Sequence, residues 1–155
     1  MRIGFTGTRE GTTADQRMVF DALVRDYQPT EFHHGCCVGA DEETACNVHF
    51  ARRLPQNQEA WGSRCKIHAH PSDLKGMVSD LAKEVSDVVM PSKAPLDRNK
   101  TIVNACDVLI ACPKGPEEQR SGTWATVRYA RKQGKRIMVI ESDGTIVAEN
   151  LEPRT

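Results

Sequence analysis

The sequence has no surplus of charge: lysine and arginine number 21 together, and so do aspartate and glutamate. A balanced chain is not drawn as a whole onto nucleic acid or an anionic membrane, so any anion site has to be local. No apolar run approaches the roughly 20 residues needed to span a bilayer. The opening residues, Met1-Arg2-Ile3-Gly4-Phe5, enter a strand-like pattern at once. A soluble, cytoplasmic protein without membrane contact is the expectation. There is no internal repeat, low-complexity tract or sign of a second domain, so residues 1–155 are expected to form one unit, long enough to bury a core without metals or disulfides. The six cysteines show no disulfide framework. Cys36 and Cys37 are adjacent, Cys46 sits in a helical pattern, and Cys106 and Cys112 flank an apolar strand, so they read as reduced, mostly buried thiols.

What is present is an alternation of short apolar runs with helical faces. Residues 2 to 6 form a strand that leads into Gly7-Thr8-Arg9. Phe20, Leu23, Val24 and Tyr27 then recur at helical spacing. A second strand at 31 to 34 precedes a helix carrying Ala45 and Val48, and a loop over 54 to 63 precedes a third strand at Cys65 to Ala69. Between Ser72 and Pro95 the pattern allows a helix over Leu74 to Val85 and an extended stretch over Asp87 to Met90. A helix at about Asp97 to Ala105, a strand at Asp107 to Ala111, a helix at about Gly122 to Gln133 and a strand at Arg136 to Ile140 follow. Thr145 to Ala148 adds an edge strand before a short tail. Strands alternating with helices imply right-handed crossovers, and so a Rossmann-like doubly wound, mostly parallel sheet with helices on both faces.

In such a sheet ligands bind beyond the carboxyl ends of the strands, where glycine turns expose amides and helix N-termini attract anions. Here those ends carry Gly7, Thr8 and Arg9; then His34, Gly35, Gly39, Ala40 and Asp41; then Ser121, Gly122 and Thr123. Arg98 and Asn99 open another helix, where a guanidinium can clamp a phosphate in fork geometry. The alternative for each turn is a plain helix start, and for Asp41 a helix-capping carboxylate. His33, His34, His68, His70 and Cys36 raise the question of zinc. His33 and His34 point to opposite faces of a strand, so no metal site and no cofactor are expected, with His34 packed near the glycine turn and the other histidines partly solvated. Trp124 and Tyr129 read as core, and Arg128, Arg131, Lys132, Lys135 and Arg136 as a solvated helix end.

Taken in order, the stretches GFTGTRE, HHGCCVGADEETA, HPSDL, LDRNKTIVNACDVLIACPKG and SGTWATVRYARKQGKRIMVI resemble the YspA-type branch of the SLOG superfamily, relatives of the LOG and DprA Rossmann-like proteins. The resemblance covers most of residues 3 to 140 and implies a nucleotide pocket built from the turns named above. It also implies a homodimer or higher homo-oligomer, and a ligand such as a nucleoside phosphate, an ADP-ribose-like species or a nucleotide second messenger. LOG-type relatives cleave the N-glycosidic bond of a nucleoside monophosphate, with a glutamate in a GGxGTxxE pattern.

Here that position holds Thr126, and the aspartate that follows GTA in YspA-type relatives is replaced by Ala125. Cleavage through an oxocarbenium-like state calls for a carboxylate, which threonine and alanine cannot supply. Asp41 and Glu42 are the candidate catalytic substitutes, with Glu43 beside them. The reading therefore places binding of a nucleotide-type ligand, by a sensor or sequestering protein, ahead of a phosphoribohydrolase. A DprA-like contact with nucleic acid is not expected, because it requires a basic face that the composition does not announce.

Overall fold

The computed structural model describes residues 1–150. Strand β1 (Arg2–Gly7) lies at its centre, paired in parallel with β2 (Glu31–His34) on one side and β5 (Val108–Cys112) on the other. Outward from β2 come β3 (Lys66–Ala69) and β4 (Val88–Val89), and outward from β5 come β6 (Arg136–Ile140) and β7 (Ile146–Glu149). All neighbours run parallel except β7, which returns antiparallel to β6. The protein is a single α/β domain with a seven-stranded, mostly parallel sheet, as the alternation of patterns predicts.

Side chains alternate across the sheet, and each face is sealed by its own helices. On one face Ile3, Phe5, Phe32, Ile67 and Ile110 pack against Phe20 and Val24 of α1 (Ala14–Tyr27) and Ala45 and Val48 of α2 (Ala40–Ala51). Phe5, Phe20 and Phe32 meet with ring centroids 5.4–6.3 Å apart. On the other face Leu109, Ala111, Ile137 and Val139 receive Val103 of α5 (Pro95–Ala105) and Trp124, Val127 and Ala130 of α6 (Gly122–Lys132). Trp124 is core, as expected, and its indole N–H is satisfied by the Gly115 carbonyl at 3.1 Å.

The start of α1 is tied to the ends of β5 and β6. Thr13 and Gln16 form a capping box, each side chain bonding the other's backbone amide at 3.0 Å. The buried Gln16 amide then donates to the carbonyls of Pro113 and Ile140, fixing the helix over the ends of β5 and β6.

Several expectations need correction. The helix over Leu74 to Val85 shrinks to α4 (Asp80–Glu84), because Gly76 takes a positive φ of 84° and the preceding residues form turns. The loop over 54 to 63 contains α3 (Pro55–Gln58), started by a proline at its first position, and leads into a 3-10 turn (Gly62–Arg64). The basic run at the end of α6 is not simply solvated: Arg131 pairs with both Glu117 and Glu149, Arg128 with Glu117, and Lys135 with the Cys106 carbonyl. The six cysteines are free thiols, five of them buried and Cys46 half-buried. Among the described residues no helix is long and apolar enough to cross a membrane. The expected tail lies outside the described residues.

Candidate functional site

The chain builds β1 to β4 outward on one side of the sheet, then crosses back so that β5 lands beside β1. Connections therefore diverge from the carboxyl ends of β1 and β5 in opposite directions and leave a crevice between them, the topological switch point where open α/β sheets bind ligands. A cleft of about 370 Å³ occupies that place. It falls within the usual range for small-molecule sites, roughly 300–1,000 Å³.

The turn after β1 forms one wall. Thr8 folds it inward, its hydroxyl accepting from the Glu10 amide and its carbonyl from the amides of Gly11 and Ala40. From α2, Glu43 holds the same turn by accepting from the Thr12 amide at 2.8 Å and hydroxyl at 2.5 Å. Arg9 is left on the wall and exposed, among the lining side chains.

The turn after β2 is the most constrained part of the site. Cys36 is left-handed at φ 57°, an unusual state for a residue with a side chain, and it persists because its neighbours hold it. The Cys36 amide donates to His34 Nδ1 at 3.0 Å, and its carbonyl accepts from the Ser79 amide at 2.8 Å. The hydroxyl of Ser86 donates to the Ala82 carbonyl, so His34 must donate to it through Nε2 and is the neutral Nε2–H tautomer. Burial pushes the His34 pKa down to about 3, which keeps the ring neutral.

Gly39 precedes α2 at φ 93° and ψ −129°, and a Cβ there would collide with the Arg9 carbonyl. Positive φ and a backbone clash act together, so Gly39→Ala is expected to lower stability by about 2 kcal/mol or more. Urea unfolding of the variant checks this, and a loss under about 0.5 kcal/mol, the scatter of ordinary surface changes, refutes it.

Asp41, in the first turn of α2, and Arg98, in the first turn of α5, face each other over Gly35. A Cβ built on Gly35 would lie 2.7 Å from Arg98 Nη1 and 2.7 Å from Asp41 Oδ2. Glycine is required here because two buried charged groups occupy the space a side chain would take. Arg98 Nη1 donates to the Gly35 carbonyl, to the His70 carbonyl at 3.2 Å and to Cys37 Sγ at 3.6 Å, while Nε donates to Asn99 Oδ1 at 2.8 Å. Among the described residues Nη2 has no protein partner. Asp41 Oδ2 accepts from the Cys37 amide at 3.2 Å, whereas Oδ1 is buried with no hydrogen bond at all. Burial raises the Asp41 pKa to about 6, against the opposing pull of Arg98 and of the Cys37 and Gly35 amides. Burial and Asp41 also push the Cys37 thiol up, so this wall residue is a neutral thiol and not a nucleophile.

The third wall is the start of α6. Ser121 caps the helix by accepting from the Trp124 amide at 3.2 Å, and the Ala125 amide bonds the Ser121 carbonyl. The amides of Gly122 and Thr123 have no partner among the described residues, and both residues line the cleft. They provide orphan donors at the positive end of the helix dipole. At the mouth Lys114 bonds Glu10 at 2.9 Å across the gap between the β1 and β5 turns, and Arg120 and Glu118 stand nearby on the wall. Both partners of that bridge are mostly exposed, so it is weak and open to competition by an anion.

Most residues singled out from the sequence thus meet at one cleft: Gly7, Thr8 and Arg9, Gly35 and Asp41, Arg98 and Asn99, and Ser121, Gly122 and Thr123. Four do not reach it. His34 is fully buried behind the wall, and Gly39 and Ala40 set the backbone without lining the cleft. Glu42 turns away to accept from the Ser79 hydroxyl at 2.5 Å, which removes it as a candidate acid at this cleft. Ala125 and Thr126 are also off the wall, with Thr126 bonded to the Gly122 carbonyl. Arg98, expected as a phosphate clamp, has Asp41 beside it in space. His33 and His70 are buried rather than partly solvated, and burial holds both in the neutral form. Unanticipated wall residues are Phe5, Leu96 and Ile102, which give the cleft an apolar side, together with Lys114 and Arg120.

No protein-family model matches the chain, and no curated protein does. Among solved structures, the molybdenum cofactor binding protein from the phototrophic bacterium Rippkaea orientalis is similar, with 22% identity and a TM-score of 0.64 over 91% of this chain and 76% of that one. A structural-genomics protein, TM1055, is similar at 16% identity with a TM-score of 0.59, over 88% of this chain and 72% of that one. At these identities the likeness establishes the Rossmann-like fold alone.

Proposed function

We propose that this chain binds a nucleotide or nucleotide-derived ligand at the switch-point cleft, as a sensor or sequestering protein of the YspA-like kind that its motif order resembles. One observation carries the reading: a single cleft is lined by the helix-start residues Gly122 and Thr123, whose free amides suit a phosphate, and by the carboxyl of Asp41. In this reading the phosphate sits on the Gly122 and Thr123 amides with Arg9, Lys114 and Arg120 around it. A sugar hydroxyl donates to the Asp41 carboxyl, and the base lies toward Leu96 and Ile102. Asp41 as a catalytic group and the resemblance's homodimer remain proposals of the same kind, the latter checked by sedimentation of the purified chain.

Thermal unfolding with nucleoside phosphates, ADP-ribose, cyclic dinucleotides and molybdenum cofactor tests the reading, the last because a protein of similar fold is described as binding it. A true ligand at about a hundred times its Kd adds about 2.7 kcal/mol of stability. For a domain of this size that is a rise of roughly 5–10 °C in Tm. No rise with any member of the panel overturns the proposal.

Asp41 favours a second reading, hydrolysis of an N-glycosidic bond. A carboxyl with a pKa of about 6 exchanges protons near neutrality and can serve as an acid–base group. Release of free base from a nucleoside monophosphate, lost in Asp41→Asn while binding persists, supports hydrolysis. Ligand left intact after long incubation leaves binding alone.

A further inference from the structure

The face of β2 and β3 opposite His34 carries chemistry that the cleft does not use. In the parallel register His33 lies beside His68, and Glu31, two residues before His33, projects from the same face. The rings of His33 and His68 stack with centroids 4.4 Å apart at 20°. Glu31 Oε1 lies 2.9 Å from His33 Nε2 and 3.8 Å from His68 Nε2, and one ligand atom from each of the three residues lies within 4.8 Å of the others. Around a tetrahedral ion with bonds of about 2.0–2.1 Å, ligand atoms stand roughly 3.4 Å apart. The two spacings from Glu31 bracket that value.

We propose that Glu31, His33 and His68 form a binding site for a first-row divalent cation, zinc by the nature of its ligands, separate from the cleft. Two imidazoles and one carboxylate suit zinc better than magnesium or calcium, which take oxygen ligands. Side-chain exposure is 5% at His33, 20% at His68 and 37% at Glu31, so the set is anchored on its inner side and open to water on its outer side. Water then completes the coordination.

The ring behind the site completes the arrangement. His33 Nδ1 lies 2.8 Å from His70 Nε2, so the two nitrogens share one hydrogen. Without metal, His33 Nε2–H donates to Glu31 and Nδ1 accepts from His70. With metal, Nε2 gives its lone pair to the ion, the His33 hydrogen resides on Nδ1 and donates to His70 Nε2, and the His70 hydrogen moves to its own Nδ1. Each ring keeps one hydrogen, and His70 becomes the outer partner that orients a metal-bound imidazole. The His70 carbonyl in turn accepts from Arg98 on the cleft wall at 3.2 Å, so the site stands next to the cleft's anchor.

The test is calorimetric titration of the chelator-stripped full chain with zinc chloride. One ion per chain is expected, together with a rise in Tm at saturating zinc. His68→Ala removes the binding and Glu31→Gln weakens it at least tenfold, both side chains being exposed enough for the fold to tolerate the change. Cys46→Ser, the most accessible thiol, leaves the affinity unchanged. The proposal is overturned if the wild-type chain binds no zinc at millimolar concentration, or if the stoichiometry and affinity survive in Glu31→Gln, or if they follow Cys46 instead.

Discussion

Replacing Arg98 with methionine is expected to destabilise the protein by about 3 to 5 kcal/mol, a large part of the 5–15 kcal/mol typical of a domain. The guanidinium is 8% exposed and is the shared donor for the Gly35 and His70 carbonyls. Methionine fills much of the volume but donates nothing, so both carbonyls lose a partner in a place that water reaches poorly. Asp41 loses the cation that most opposes its desolvation. Gly35, which leads into the strained turn at Cys36, lies between the two groups. Urea unfolding at pH 8 measures the loss. A loss below about 1 kcal/mol means that the anchor is dispensable.

The double variant Arg98→Met with Asp41→Asn separates the two parts of that loss. If the carbonyls account for all of it, neutralising Asp41 recovers nothing. Coupling of about 1 to 2 kcal/mol in favour of the double variant is the expected outcome, because the amide removes the buried charge that the missing guanidinium leaves uncompensated.

The course of the chain was readable because local pattern and global fold agree here. Ile3 and Phe5, Phe32, and Val108 with Ile110 are buried apolar residues at strand spacing, and Phe20, Leu23 and Val24 follow helical spacing. The turns that carry the cleft were readable for the same reason, since glycine and hydroxyl residues at strand ends reflect backbone requirements that act locally. What was not readable depends on partners distant in sequence. Glu42 resembles Asp41 in every local respect, and only the position of Ser79 decides that one turns away while the other lines the cleft. Glu31 meets His68 only because the parallel register of β2 and β3 sets the two strands side by side. Arg131 read as a solvated helix end because Glu117 and Glu149 lie 14 and 18 positions away. The segment from 74 to 85 misled for a different reason: Leu74 and Leu81 are each 45% exposed, so apolar spacing there does not mark a buried helix face.

Asp41→Asn is expected to gain stability relative to the parent chain as pH rises, by the larger part of about 3 kcal/mol between pH 4 and pH 7. The sign follows from the direction of the shift. Burial raises the Asp41 pKa from 3.8 in the unfolded chain to about 6 in the fold, so between those values the folded state binds more protons than the unfolded one. Stability of the parent chain therefore carries no penalty from this group below pH 3.8 and declines as pH climbs through 6. A shift of about two units corresponds to roughly 3 kcal/mol. Asparagine has no proton to lose, so its stability lacks this decline, and subtracting the two curves cancels every other titrating group. Urea midpoints of both proteins from pH 4 to pH 8 give the difference directly. A flat difference means that Asp41 titrates normally and that water already reaches Oδ1; a difference that narrows with rising pH means that Arg98 outweighs burial. A carboxyl held near 6 with one oxygen buried and unpaired is kept at a cost to the fold.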